Sequence, residues 1–325
     1  MIPLKKRNVY LTMGSIAVLS AALFTGISLL DLEGNVKPII AAVDRSGPPE
    51  YAQAFYGDFN TPLSKPMDVA RIGEFVYVSD TSNRQVQVFD QAGTPIFQFG
   101  EDGSEEGQFR FPYGIAGDKD GDVYVADLYN GNISIFDSKG KFLRYFEEKA
   151  DDKVLSSPGG LRIFDEKLYV TDIKANKLFI FTLDGELEME IGGAGAEEGQ
   201  FIAPNAVTID KEGQIYVTDS GNNRVQVFDK SGKFVKIING SKDGTGAPLF
   251  LNPRGVAVDS KGIVYVVNNL SHNIYAYDQE GTQMHVLGGM GTENGSLYLP
   301  NGLFIDDRDT LYVTDTVNQR VAVYY

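Results

Sequence analysis

From residue 51 to the end, apolar and polar residues alternate in short runs separated by Asp, Asn, Ser and Gly. One stretch shows the pattern in full. Residues 205–209 (NAVTI) are a short apolar run after Pro204, and Gly213 marks a turn. Residues 214–218 (QIYVT) and 224–228 (RVQVF) alternate with a period of two, and residues 234–238 form a fourth run. Period-two alternation of β-branched and aromatic residues between Gly, Asn and Asp turns predicts four short β-strands. No helical periodicity is sustained after Leu30.

The unit recurs. A Pro stands at 66, 112, 158, 204, 253 and 300, at spacings of 46, 46, 46, 49 and 47 residues. In step with it runs a Tyr-Val-x-Asp motif ending at Asp80, Asp127, Asp172, Asp219, Asn268 and Asp315. A fixed period of 40–50 residues means a repeat architecture. Four antiparallel strands repeated radially predict an all-β, six-bladed β-propeller. The sixth copy stops after its third strand, at 321–325. Residues 53–58 (QAFYGD) align with 97–102 (FQFGED), so the N-terminal strand is expected to close the last blade.

At the other end, Lys5, Lys6 and Arg7 precede the uncharged residues 9–30. As a helix this stretch would span about 33 Å, near the ~30 Å of a bilayer core. A cleavable leader is the rival reading, but its apolar part is shorter and ends at a small-residue site not evident here. The expected layout is a cytoplasmic basic tail (1–8), a single transmembrane helix (9–30), a linker (31–50) and the propeller (51–325). The basic flank places the propeller on the extracytoplasmic side of the cell membrane.

The absence of Cys removes disulfides, thiolate metal sites and Cys nucleophiles. A net charge of −15, with no Lys/Arg run beyond the N-terminus, disfavours nucleic acid as a partner.

The motif, assembled from VYVSDTSNRQVQVFD (76–90), IYVTDSGNNRVQVFD (215–229) and LYVTDTVNQRVAVY (311–324), resembles the NHL-repeat family over about residues 52–325. WD-type and kelch repeats lean on Trp, and this chain has none. The resemblance implies six blades. It also implies relatives that include metal-dependent lyases and lactone hydrolases, some of which use His near the axis. Here the two His, His272 and His285, fall in a turn and in an outermost strand, away from the channel.

An acidic residue repeated in nearly every copy reads as scaffold, an Asp capping the following turn. In three copies an Arg follows, Arg84, Arg224 or Arg320, placed to pair with it. Chemistry is therefore sought where one copy departs from the rest. The first position after each Pro reads Met67, Tyr113, Gly159, Asn205, Arg254 and Asn301. The second reads Asp68 against five Gly or Ala, and the fourth carries one charge, Arg162. Two readings stay open: a buried Asp68–Arg162 pair across the channel, or a ligand-binding mouth built from Asp68, Tyr113, Arg162, Asn205, Arg254 and Asn301.

The expected function is a non-catalytic binding module that recruits a protein, peptide or glycan through its loop face, without a cofactor. The alternative is a propeller-type lyase or hydrolase with calcium held by Asp68 and Asn205 or Asn301.

Overall fold

The computed structural model describes residues 29–30, 36–37, 47–149, 154–241 and 248–325. The chain divides into two units, Met1–Pro48 and Pro49–Tyr325.

In the first unit, Leu29–Leu30 and Val36–Lys37 form an antiparallel pair of two-residue strands. This corrects the expected transmembrane helix over 9–30. Its last two residues are extended and paired, and no helix among the described residues is long and apolar enough to cross a membrane. Residues 9–28 lie outside the described residues.

The second unit is a ring of six four-stranded antiparallel blades. Blade 1 runs from its innermost strand Pro66–Ile72 through Phe75–Asp80 and Gln85–Phe89 to Pro95–Phe99. The innermost strands of blades 2–6 are Pro112–Gly117, Pro158–Phe164, Pro204–Ile209, Pro253–Val258 and Leu303–Ile305. The outermost strand of blade 6 is Tyr51–Phe55, paired with Arg320–Tyr324 in the register Val321↔Phe55 and Tyr324↔Tyr51. The ring closes as the sequence predicts. Backbone bonds between Glu50 and Tyr325, at 2.8 and 3.0 Å, extend the seam.

Six hydrophobic clusters hold the ring, one between each pair of neighbouring blades. Between blades 4 and 5, for example, Tyr216, Val225 and Val227 pack on Phe250, Val256 and Tyr277. Sheet faces made of β-branched and aromatic residues bury themselves against the next blade rather than in one central core.

The repeated Asp ties loop to turn. In each blade its side-chain oxygen, or that of Asn268, accepts the backbone N–H two residues before the Pro position. The donors are Ser64, Arg110, Ser156, Ile202, Leu251 and Tyr298, at 2.6–2.8 Å. Arg224 and Arg320 pair with Asp219 and Asp315 at 2.7 and 2.8 Å. Arg84 does not pair with Asp80. It occupies the left-handed turn position, φ 54°, and reaches Asp102 instead, while Gln85 takes the Arg slot and donates to Asp80.

Candidate functional site

Each of the first five innermost strands starts with a break in register. Pro pairs with the Asp or Asn that ends the second strand, and pairing resumes three residues later. The two skipped residues bulge toward the axis, and these are the two positions singled out from the sequence. At the second of them the next blade's backbone is close. A Cβ on Gly114 would lie 2.2 Å from the Gly159 carbonyl oxygen, and one on Gly302 would lie 2.6 Å from Asp68 Cα. That crowding accounts for the small residues there.

Asp68, Tyr113, Arg162, Asn205, Arg254 and Asn301 all line one mouth of the channel. They form two layers. In the outer layer the Tyr113 hydroxyl, on blade 2, hydrogen-bonds Asn205 Oδ1 of blade 4 and lies 3.4 Å from Asn301 Oδ1 of blade 6. Burial raises the Tyr113 hydroxyl above its ordinary pKa, so it stays protonated and able to donate. Arg254 Nη1 donates to Asn205 Oδ1 at 2.9 Å, and Asn301 Nδ2 contacts Met67 Sδ at 3.2 Å.

Beneath it, Arg162 crosses the axis. Its Nη2 donates to the Leu303 carbonyl at 2.6 Å, its Nη1 to the Leu161 carbonyl at 2.8 Å, and its guanidinium lies over the Phe304 ring at 5.6 Å. Asp68 Oδ2 accepts the Ile115 N–H at 3.1 Å and stands 3.6 Å from Arg162 Nη1. Burial pushes the Asp68 carboxyl above the usual carboxylate range, against the opposing pull of Arg162. Of the two readings, the buried pair is present, and it floors the mouth.

The side chains leave about 10 Å³ at this mouth, room for about one water molecule. The arrangement does not suit calcium. Its one carboxylate faces a guanidinium, and a second guanidinium, Arg254, bonds one of the two proposed amide ligands. Among the described residues no group of three or more His, Asp or Glu could hold a metal. His272 Nδ1 accepts the Leu299 N–H, and His285 sits on the outermost strand of blade 5.

Two features escaped the sequence reading. The opposite mouth holds a cavity of about 150 Å³ between Phe164, Ile209, Val258, Phe304 and Ile305, closed at its inner end by Arg162. These are ordinary strand residues, without a signal of their own. The other feature is a set of apolar side chains on the loop face. Tyr129 is 69% exposed and Leu270 is 55% exposed. With Val317 they hold the same turn position in blades 2, 5 and 6, and Ile202 and Leu251 stand exposed two residues before the Pro of blades 4 and 5. Phe111 packs tilted against Tyr129 at 4.7 Å and stacks on Tyr113 at 6.3 Å, linking this crown to the mouth.

The NHL repeat model of protein families matches residues 201–228, the entry loop and first three strands of blade 4. Blade 4 is an NHL repeat, and the other five blades repeat its period. The chain is 30% identical over 149 residues to Protein brain tumor of Drosophila melanogaster, covering 45% of this chain and 14% of that protein. It is 29% identical over 190 residues to the E3 ubiquitin-protein ligase NHLRC1 of Rattus norvegicus, covering 54% of this chain and 46% of that one. The chain thus spans less than half the length of these relatives. Among solved structures, a gluconolactonase from Xanthomonas campestris superposes with a TM-score of 0.61 at 15% identity, over 86% of this chain and 95% of that one. At that identity the likeness is one of fold.

Proposed function

We propose that this NHL propeller is a non-catalytic binding module that recruits a protein or peptide through its loop face. The observation that carries the reading is the exposed crown of Tyr129, Ile202, Leu251, Leu270 and Val317 around a mouth with room for about one water. Apolar side chains exposed together on one face mark an interaction surface. A filled mouth leaves the loops, rather than a pocket, to make contact. The turns of the opposite face, such as 137–140 (DSKG) and 229–232 (DKSG), are polar. Rigid blades presenting variable loops suit recognition.

The absence of Cys makes the test direct, because a photo-crosslinker can be attached to a single introduced Cys. Leu270→Cys labels the loop face and Lys139→Cys the opposite one. In extracts of the native cells a discrete adduct is expected from position 270 and not from 139, and Leu251→Asp should abolish it. Identical labelling from both positions would refute the reading.

A further inference from the structure

We infer that the partner presents an acidic segment to the centre of the loop face, with carboxylates set among apolar side chains. The inference rests on the binding-module reading and names the chemistry of what is bound.

Charge on this face is sorted by radius. The positions flanking each Pro, and the second residue of each turn, carry Lys65, Arg110, Lys174 and Arg254, and no carboxylate except the buried Asp68. Lys65, Arg110 and Lys174 are exposed. Among the described residues none of these four cations forms an ion pair, although twelve such contacts occur between other residues. Arg254 is bonded only to neutral groups at the mouth, and its Nε is buried without a hydrogen-bond partner. In a chain of net charge −15, unpaired cations gathered at one place need a reason.

Geometry joins these cations to the apolar crown. Lys65 Nζ lies over the Phe111 ring at 5.5 Å, and Phe111 bridges Tyr113 at the mouth and the exposed Tyr129. Farther out, the loops between blades carry exposed carboxylates, Glu101, Glu105 and Glu106 after blade 1 and Glu197 and Glu198 after blade 3. A basic, aromatic centre inside an acidic fence admits a narrow acidic segment and repels an extended polyanion, whose charge would also cross the fence. Electrostatic complementarity of this kind sets partner choice and association rate.

The probe is a fluorescently labelled random copolymer of Glu and Tyr in a ratio of about 4:1, with binding to the full-length protein read by anisotropy at two salt concentrations. Reversing Lys65, Arg110 and Lys174 together to Glu should weaken binding about tenfold or more, with a smaller salt dependence. Reversing Lys139, Lys141 and Lys230, exposed on turns of the opposite face, changes net charge equally and should alter binding by no more than about twofold. Equal losses from both triple variants, no binding by the unaltered protein, or tighter binding of poly(U) RNA than of the copolymer would each overturn the inference. The cross-linking result from position 270 does not depend on these cations. An adduct that survives their reversal would leave the binding module standing and remove the acidic partner alone.

Discussion

Arg162, on the innermost strand of blade 3, donates through Nη2 to the carbonyl of Leu303 on blade 6 at 2.6 Å. One side chain thus spans the channel and joins blades on opposite sides of the ring. It is the inner end of both mouths, with Asp68 beside it.

Arg162→Met removes the charge facing a carboxylate whose side chain is 9% exposed. Stranding one partner of a buried pair costs about 3–5 kcal/mol. The double variant Asp68→Asn/Arg162→Met should cost clearly less than the sum of the singles, because neither charge is then left alone. Urea unfolding of all four proteins gives the coupling, and strict additivity would show that the pair is not felt.

The pH dependence of Asp68→Asn has a definite sign. Burial raises the carboxyl in the folded state, so folding favours its protonated form. That contribution is complete below the unfolded pKa of about 3.9 and is lost as pH rises through the raised folded value. The melting temperature of Asp68→Asn relative to the unaltered protein should therefore climb between about pH 4 and pH 7. A fall over that range would mean that Arg162, not burial, governs the group.

Asp219 and Asn268 hold equivalent positions with unequal partners. Asp219 accepts from the Ile202 N–H, Asn222, Arg224 and Gln226, whereas the Asn268 Oδ1 binds the Leu251 N–H and its amide nitrogen is buried without a partner. Asp219→Ala should cost about 3–5 kcal/mol, since it strands Arg224. Asn268→Ala should cost about 1–2 kcal/mol. Chemical denaturation distinguishes the two, and similar losses would contradict the assignment.

Phe55 is fully buried at the seam, its ring 5.5 Å from Phe89 and 6.4 Å from Tyr312. Phe55→Ala should cost about 3–5 kcal/mol. Val235→Ala, on an exposed outer strand, should stay within about 0.5 kcal/mol. Hydrogen exchange should show protection lost in blades 6 and 1 together. Loss confined to residues 51–55 would mean that the strand is ornamental to the ring.

The blades were legible because each is built locally: the strands, turns, Pro and capping Asp all lie within one period of the sequence. Closure was legible because Phe55 occupies the place of Phe99. The six mouth residues were legible as departures from a template that close packing enforces. What was not legible depends on side-chain reach and on single-residue shifts. Arg84 was expected beside Asp80, but the turns after Asp80 and Asp219 are equally long, so Arg84 matches Asn223 on the turn and Gln85 matches Arg224 opposite the Asp. The crossing of Arg162 to Leu303 depends on a rotamer. The crown of Tyr129, Leu251 and Leu270 is apolar residues in turns, unremarkable until the fold sets them on one face. The apolar run at 9–30 suggested a helix by length and hydropathy alone, which do not register the pairing of Leu29–Leu30 with Val36–Lys37.

The seam between Tyr51–Phe55 and Arg320–Tyr324 also orders events in time. Gln53 and Tyr325, which hydrogen-bond across it, are 272 residues apart. Translation delivers Tyr51–Phe55 well before Arg320–Tyr324, so the ring cannot be completed until the later strand has left the ribosome. Until then the open edges of blades 1 and 6 are exposed to other chains. A contact of such long range carries a large loop-closure cost and is expected to form late. The propeller thus passes its most aggregation-prone moment while it waits for Arg320–Tyr324, and conditions that slow closure should lower its yield before they lower its stability.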